Sequence, residues 1–165
     1  MITPRLNELA DEIATILRDR GETIAVAEGS AGGLISATLL SVPGASAYFV
    51  GGTVVYTASA YRNFVAGTVP TPPGMRGATE LFAAHLAEAV AAKLGTTWGL
   101  GEAGAAGPPN PYGDPAGHVW LAVHGPTPST TSTRHVLTGI DDRPANMVAF
   151  ATVALELLAE VLTTA

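Results

Sequence analysis

Between an apolar, partly β-branched run (residues 23–27) and the helically spaced Leu34, Ile35, Leu39 and Leu40 stands Glu28-Gly29-Ser30-Ala31-Gly32-Gly33. This reads as strand, tight glycine turn, helix, the unit from which layered α/β folds are assembled. The rest of the chain repeats the alternation. Thr3-Pro4 supplies an N-cap and a proline at the first helical position, and Leu6, Leu9, Ile13, Ile16 and Leu17 keep helical spacing up to Gly21. Val42-Pro43-Gly44-Ala45-Ser46 is turn chemistry, Gly51-Gly52 precedes an expected strand over 53–56, and a short helix is expected over 58–66. Prolines at 70, 72 and 73 make residues 68–77 an ordered loop. Thr79 caps a helix closed by Gly95, and a strand follows over 98–103. A Gly/Pro loop over 104–117 leads to a strand over 118–124, with an antiparallel edge strand over 131–137. Asp141 or Asp142 starts a last helix. The expectation is a three-layer α/β sandwich with a mixed sheet, forming a single domain over 1–165.

Composition narrows the function classes. With 47% apolar and 13% charged residues the chain has the opposite balance to a disordered one. It has no cysteine, which removes disulfides, thiolate metal sites and a cysteine nucleophile. A net charge of −6 gives no footprint for nucleic acid or an anionic membrane. No run of 18 apolar residues and no charged-then-apolar leader is present, so a cytoplasmic protein without a membrane partner is expected. Lys93 is the only lysine. High apolar content with low charge predicts a homo-oligomer.

Ligands of open α/β sheets bind beyond the C-terminal ends of the strands. Three segments qualify: Glu28 to Gly33, Tyr56-Thr57 to Arg62, and Glu102 to Pro108. The first is not a dinucleotide fingerprint, a Walker loop or a hydrolase elbow, because Glu28 stands where the elbow's first glycine belongs. His85, His118, His124 and His135 show no metal-ligand spacing, so structural roles and no metal are expected.

Taken together, these segments resemble the C-terminal domain of the competence/damage-inducible CinA proteins, whose stand-alone members are nicotinamide-nucleotide amidohydrolases. The family's Ala-Glu-Ser-Cys-Thr-Gly-Gly is similar to Ala27-Glu28-Gly29-Ser30-Ala31-Gly32-Gly33, and its Val-Pro-Gly-Ser-Ser to Val42-Pro43-Gly44-Ala45-Ser46. Its Tyr-Ser-Asn-x-x-Lys matches Tyr56-Thr57-Ala58-Ser59-Ala60-Tyr61. The two motifs Gly-x-Ala-Gly-Pro and Pro-Val-Gly-Thr-Val-Trp match Gly104-Ala105-Ala106-Gly107-Pro108 and Pro115-Ala116-Gly117-His118-Val119-Trp120. The resemblance implies a CinA C-terminal-like fold that self-associates and hydrolyses the carboxamide of nicotinamide mononucleotide (NMN) without metal or cofactor. The implied nucleophile is the motif's serine, activated by the lysine of Tyr-Ser-Asn-x-x-Lys.

The chain departs from the family at both places. The serine position is Gly29 and the lysine position Tyr61, while Ala58 and Ala103 replace polar residues and Met147 and Val148 stand where arginines are common. A substitute Ser30–Lys93 pair requires an unfavourable geometry. The remaining chemistry is carboxylate and phenol: Glu28, Glu102, Ser30, Tyr56 and Tyr61 as catalytic candidates. Gly29, Gly32, Gly33, Thr57, Arg62, Gly104, Gly107, Asn110 and Tyr112 are the candidate contacts to a small-molecule ligand. Asp114 reads as a turn former. Two readings stand at this point. In one, Glu28 and Glu102 face one acidic cavity roughly 5–10 Å apart and drive a water onto a small amide. Such a cavity favours neutral or cationic ligands over phosphates. In the other, Glu28 orders its turn by accepting backbone N–H bonds, and the protein binds a nucleotide or other small ligand without hydrolysing it, or retains weak NMN deamidation.

Overall fold

The computed structural model describes residues 2–165. Its helices are α1 (Pro4–Arg20), α2 (Leu34–Leu40), α3 (Ala58–Phe64), α4 (Glu80–Leu94) and α5 (Arg143–Thr164). Its strands are β1 (Ile24–Glu28), β2 (Phe49–Val54), β3 (Trp98–Ala105), β4 (His118–His124) and β5 (Ser132–Leu137), in sheet order β2-β1-β3-β4-β5. β1 runs parallel to β2 and β3, and β4 and β5 are antiparallel additions. The sheet is mixed, as expected.

Helix ends follow their local chemistry. Thr3, Thr57, Thr79 and Asp142 each accept a backbone N–H of the first turn, and Gly21 and Gly95 close α1 and α4 in the left-handed region. β2 differs from expectation, spanning residues 49–54 instead of 53–56. Gly51 and Gly52 lie inside it, paired with Ala25 and Val26, and α2 crosses close above Gly52. A Cβ at Gly52 would meet Ser36 Oγ at 2.2 Å.

α1, α2 and α5 cover one face of the sheet, packing Leu6, Ile13, Ile35, Phe150, Leu155 and Leu158 against Ile24, Val26, Leu100, Leu121 and Val123. α4 covers the other, where Ala25, Ala27 and Ala103 meet Ala83, Leu86, Ala87 and Val90. The contact with β3 is made at backbone distance. A Cβ at Gly99 would lie 1.9 Å from Ala87 O, and one at Gly101 would lie 2.1 Å from Ala83 O. α5 has the length and mean hydropathy (1.7) of a membrane span, although polar residues such as Thr152, Glu156 and Glu160 interrupt its apolar runs. Asn146, Phe150, Ala151, Ala154, Leu155 and Leu158 are buried in the fold, as in the core helix of a globular protein.

Candidate functional site

Side chains alternate along a strand, so neighbouring residues of β1 serve opposite faces. Glu28 and Glu102 are register partners on adjacent parallel strands and share a face. That face is the one under α2, and both residues are 0% exposed. Glu28 Oε2 accepts from Ile35 N (3.1 Å), and its Oε1 from Ser36 N (2.9 Å) and Ser36 Oγ (2.7 Å). The carboxylate therefore occupies the N-terminus of α2, the place where a ligand phosphate binds in many α/β folds. Glu102 Oε2 accepts from Gly29 N (2.9 Å) and Ala31 N (2.8 Å), and Ser30 Oγ donates to its Oε1.

The expectation of an acidic cavity between the two carboxylates is thus corrected. They share a face, but every oxygen is engaged by the turn and helix they order, and none reaches solvent. Ser30, 5% exposed, is committed to Glu102. Lys93 sits elsewhere, in the last turn of α4 beside Thr53 and Phe64, so no Ser30–Lys93 pair forms. Burial raises the Glu102 carboxyl to about 7, with the Glu28 charge adding to the rise and the hydrogen bonds from Ser30, Ala31 and Gly29 opposing it.

A titration in folding follows. The folded-state value lies above the ordinary 4.5, so the native state holds the proton more tightly and stability falls as pH rises from about 4.5 through about 7. The loss attributable to Glu102 is on the order of 3 kcal/mol. Glutamine reproduces the protonated form, its amide donating to Ser30 Oγ and its carbonyl accepting from Gly29 and Ala31. Urea unfolding at pH 5 and pH 8 should show this loss in wild type and its disappearance in Glu102→Gln. An equal slope in both proteins would contradict the assignment.

The opposite face holds a cleft. A cavity of about 480 Å³ is lined by residues that include Val55, Tyr56, Thr57, Tyr61, Arg76, Phe82 and Tyr112. It opens beyond the C-terminal ends of β1 and β2, where ligands of open α/β sheets bind. A larger cavity, about 720 Å³, lies around Trp98, Thr127 and Ala165, by the start of β3 and the end of α5.

Gly29 is buried behind the cleft wall, beside Val55. Its N–H donates to Glu102 O at 3.1 Å, and a Cβ built on it would have ordinary contacts, 3.5 Å from Glu102 O and 3.6 Å from Val55 O. Tyr61 Oη lies 2.9 Å from His85 Nε2 and 3.1 Å from Thr71 Oγ1. Burial holds the His85 imidazole below its usual range, against the opposing charge of Glu88. At the rim, Arg76 donates to Asp114 Oδ2 (2.8 Å) and lies 4.6 Å from the centre of the Tyr112 ring. Arg76, with Asn110 as second donor, holds the Asp114 carboxyl below the ordinary carboxylate range.

Of the expected site residues, the catalytic candidates Tyr56 and Tyr61 and the ligand contacts Thr57 and Tyr112 line the cleft, and Gly29 lies buried beside the lining residue Val55. The others serve the fold. Gly32 and Gly33 take positive φ (69° and 98°) to turn the chain into α2, and Gly104 lies within β3. Gly107 O accepts from Arg143, which also donates to Tyr56 Oη at 2.8 Å. Asn110 spends its amide on Asp114 and its carbonyl on the N–H groups of Tyr112 and Asp114. Arg62 is exposed on α3 and is not among the lining residues. The structure adds Thr71, Arg76 and Phe82 to the lining, with His85 buried behind Tyr61. Among the described residues, no group of His, Cys, Asp and Glu could hold a metal ion.

Fold and site together define a three-layer α/β protein with an aromatic, arginine-rimmed cleft past its parallel strands. The chain belongs to the CinA C-terminal domain family, whose sequence profile matches residues 6–162. It is 34% identical over 154 residues to a CinA-like protein of Trichormus variabilis, covering 92% of this chain and 37% of that one. With a CinA-like protein of Salinibacter ruber it shares 39% identity over 144 residues, 85% of this chain and 34% of the other. The chain thus spans about a third of the length of these relatives. The crystal structure of a competence-damaged protein (CinA) superfamily protein from Klebsiella pneumoniae superposes with a TM-score of 0.86 at 25% identity, covering 97% of this chain and 99% of that one.

Proposed function

We propose that the cleft binds a small planar aromatic ligand carrying an anionic group, of which NMN is the representative, and that the protein does not hydrolyse it by the serine–lysine route. The observation that carries this reading is the separation of charges across the sheet. Both buried glutamates serve the α2 face, while the cleft presents Arg76 beside Tyr112, Phe82 and Tyr61. A guanidinium already oriented by Asp114 is suited to a phosphate or carboxylate, and the rings to a heteroaromatic plane. This reverses the preference for neutral or amine-bearing ligands, whose premise was an acidic cavity.

Hydrolysis of a small amide by carboxylate-assisted water attack is the weaker reading, because Glu28 and Glu102 are spent on backbone N–H groups. Under the favoured reading residues 1–165 work as one cytoplasmic domain with neither nucleic acid nor membrane as partner. The exposed Val50, Val54, Phe64 and Leu94 favour self-association.

Calorimetric titration tests the ligand class. NMN should bind more tightly than its dephosphorylated riboside, and Arg76→Ala should weaken NMN roughly tenfold to a hundredfold. Equal binding of both ligands, or an unchanged affinity in Arg76→Ala, would overturn the reading.

A further inference from the structure

We propose that Tyr61 and His85 form a nucleophile–base pair in the cleft, through which the protein accepts an acyl group from a small activated aryl ester. A hydroxyl is made nucleophilic when a neutral base lies within hydrogen-bond reach and the cavity admits the electrophile. Tyr61 meets both conditions: its hydroxyl is 2.9 Å from His85 Nε2, and its ring lines the cleft. His85 is 3% exposed, and burial favours its neutral form, so with the ring proton on Nδ1 its Nε2 accepts the phenolic proton. Thr71 Oγ1, 3.1 Å away, donates to the phenol oxygen and so leaves the phenolic proton directed at His85 Nε2. Phe82, its ring centre 5.8 Å from that of Tyr61, offers the aryl group a wall.

The other tyrosines are placed differently. Tyr56 Oη receives a hydrogen bond from Arg143, Tyr48 Oη donates to Leu39 O, and Tyr112 lies under Arg76. Among the described residues, Tyr61 is the tyrosine joined to an imidazole.

The step balances as an acyl transfer. Tyr61 Oη forms a bond to the ester carbonyl carbon while its proton passes to His85 Nε2. The bond between that carbon and the aryloxide oxygen then breaks, and the departing aryloxide takes the proton from the imidazolium. The products are O-acyl-Tyr61 and a phenol.

The proposal rests on the reading of this cleft as a ligand site, and the experiment separates the two. Wild-type protein is incubated with para-nitrophenyl acetate, release of nitrophenol is followed, and acetylated peptides are mapped by mass spectrometry. Tyr61 should be acetylated roughly tenfold faster than Tyr56 and Tyr112, although those two are 60% and 61% exposed. Labelling that follows exposure would overturn the pair in the wild-type protein alone. Tyr61→Phe should abolish the adduct at this position, His85→Gln should slow it roughly a hundredfold, and Thr71→Val should slow it a few-fold. Acetylation of Tyr61 that is indifferent to His85→Gln and Thr71→Val would likewise overturn it. In a parallel incubation NMN should protect Tyr61 from acetylation; absence of that protection, with the His85 dependence intact, removes the nucleotide reading and leaves the pair standing. Protection without His85 dependence does the reverse.

Discussion

Glu28→Gln is expected to cost about 3 kcal/mol of folding stability, while Glu102→Gln is tolerated at neutral pH. The contrast comes from what each oxygen accepts. Both oxygens of Glu28 receive backbone N–H groups, from Ile35 and Ser36, so either orientation of a glutamine amide sets an NH₂ against an N–H donor. Ser36 Oγ loses an anionic acceptor as well. At Glu102 one oxygen faces a hydroxyl, which accepts as readily as it donates, and the amide has a partner there. Chemical denaturation of the two variants beside wild type measures the difference. Equal losses would show that the two carboxylates are interchangeable charges and not distinct acceptors.

Wild-type protein incubated with NMN should release ammonia only at background, and the double variant Gly29→Ser with Tyr61→Lys should raise that rate roughly a hundredfold or more. Space permits the first change, since a Cβ at position 29 meets its neighbours at 3.5 Å and 3.6 Å with no positive φ to strain it. Val55, one of those neighbours, lines the same cleft as Tyr61, so position 29 adjoins the wall of the cavity that the new amine would enter. Each single variant should stay near background, because a nucleophile and its activator act as a unit. Ala58 and Ala103 leave the restored pair without the polar neighbours of the family pattern and limit the gain. Robust turnover by wild type, or a folded double variant no faster than wild type, would refute the assignment of these positions.

Most helix boundaries were legible because they are local. Thr3-Pro4, Thr79 and Asp142 cap helices with their own side chains, and Gly21 and Gly95 end them without help from distant residues. β2 was not legible in the same way. Glycines that mark turns elsewhere lie inside it, and α2 presses on Gly52, a fact about packing and not about the segment. The orientation of the carboxylates did have a sequence signal. Ile24, Val26 and Glu28 alternate with Ala25 and Ala27, and Leu100 and Glu102 with Gly99 and Gly101. Large residues and carboxylates thus share one face and small residues the other, where a helix comes close. The pairing of Tyr61 with His85 had none, since they lie 24 positions apart on two different helices.

The backbone-distance seating of α4 on Gly99 and Gly101 also bears on how the cleft exchanges ligand. A helix resting on the sheet without intervening side chains has no compressible layer beneath it. Phe82 in the cleft and His85 behind Tyr61, both carried by that helix, are therefore fixed, and any breathing of the cleft belongs to the loops that supply Thr71, Arg76 and Tyr112. Loops of this kind move in nanoseconds to microseconds, so entry should proceed on that clock and not on the slower one of whole-layer motion. The same partition sets where change is tolerated over generations. Residues 99 and 101 refuse even a methyl group, whereas rim positions such as 71, 76 and 112 can be exchanged without disturbing the sheet, which makes the rim the place where ligand preference is retuned.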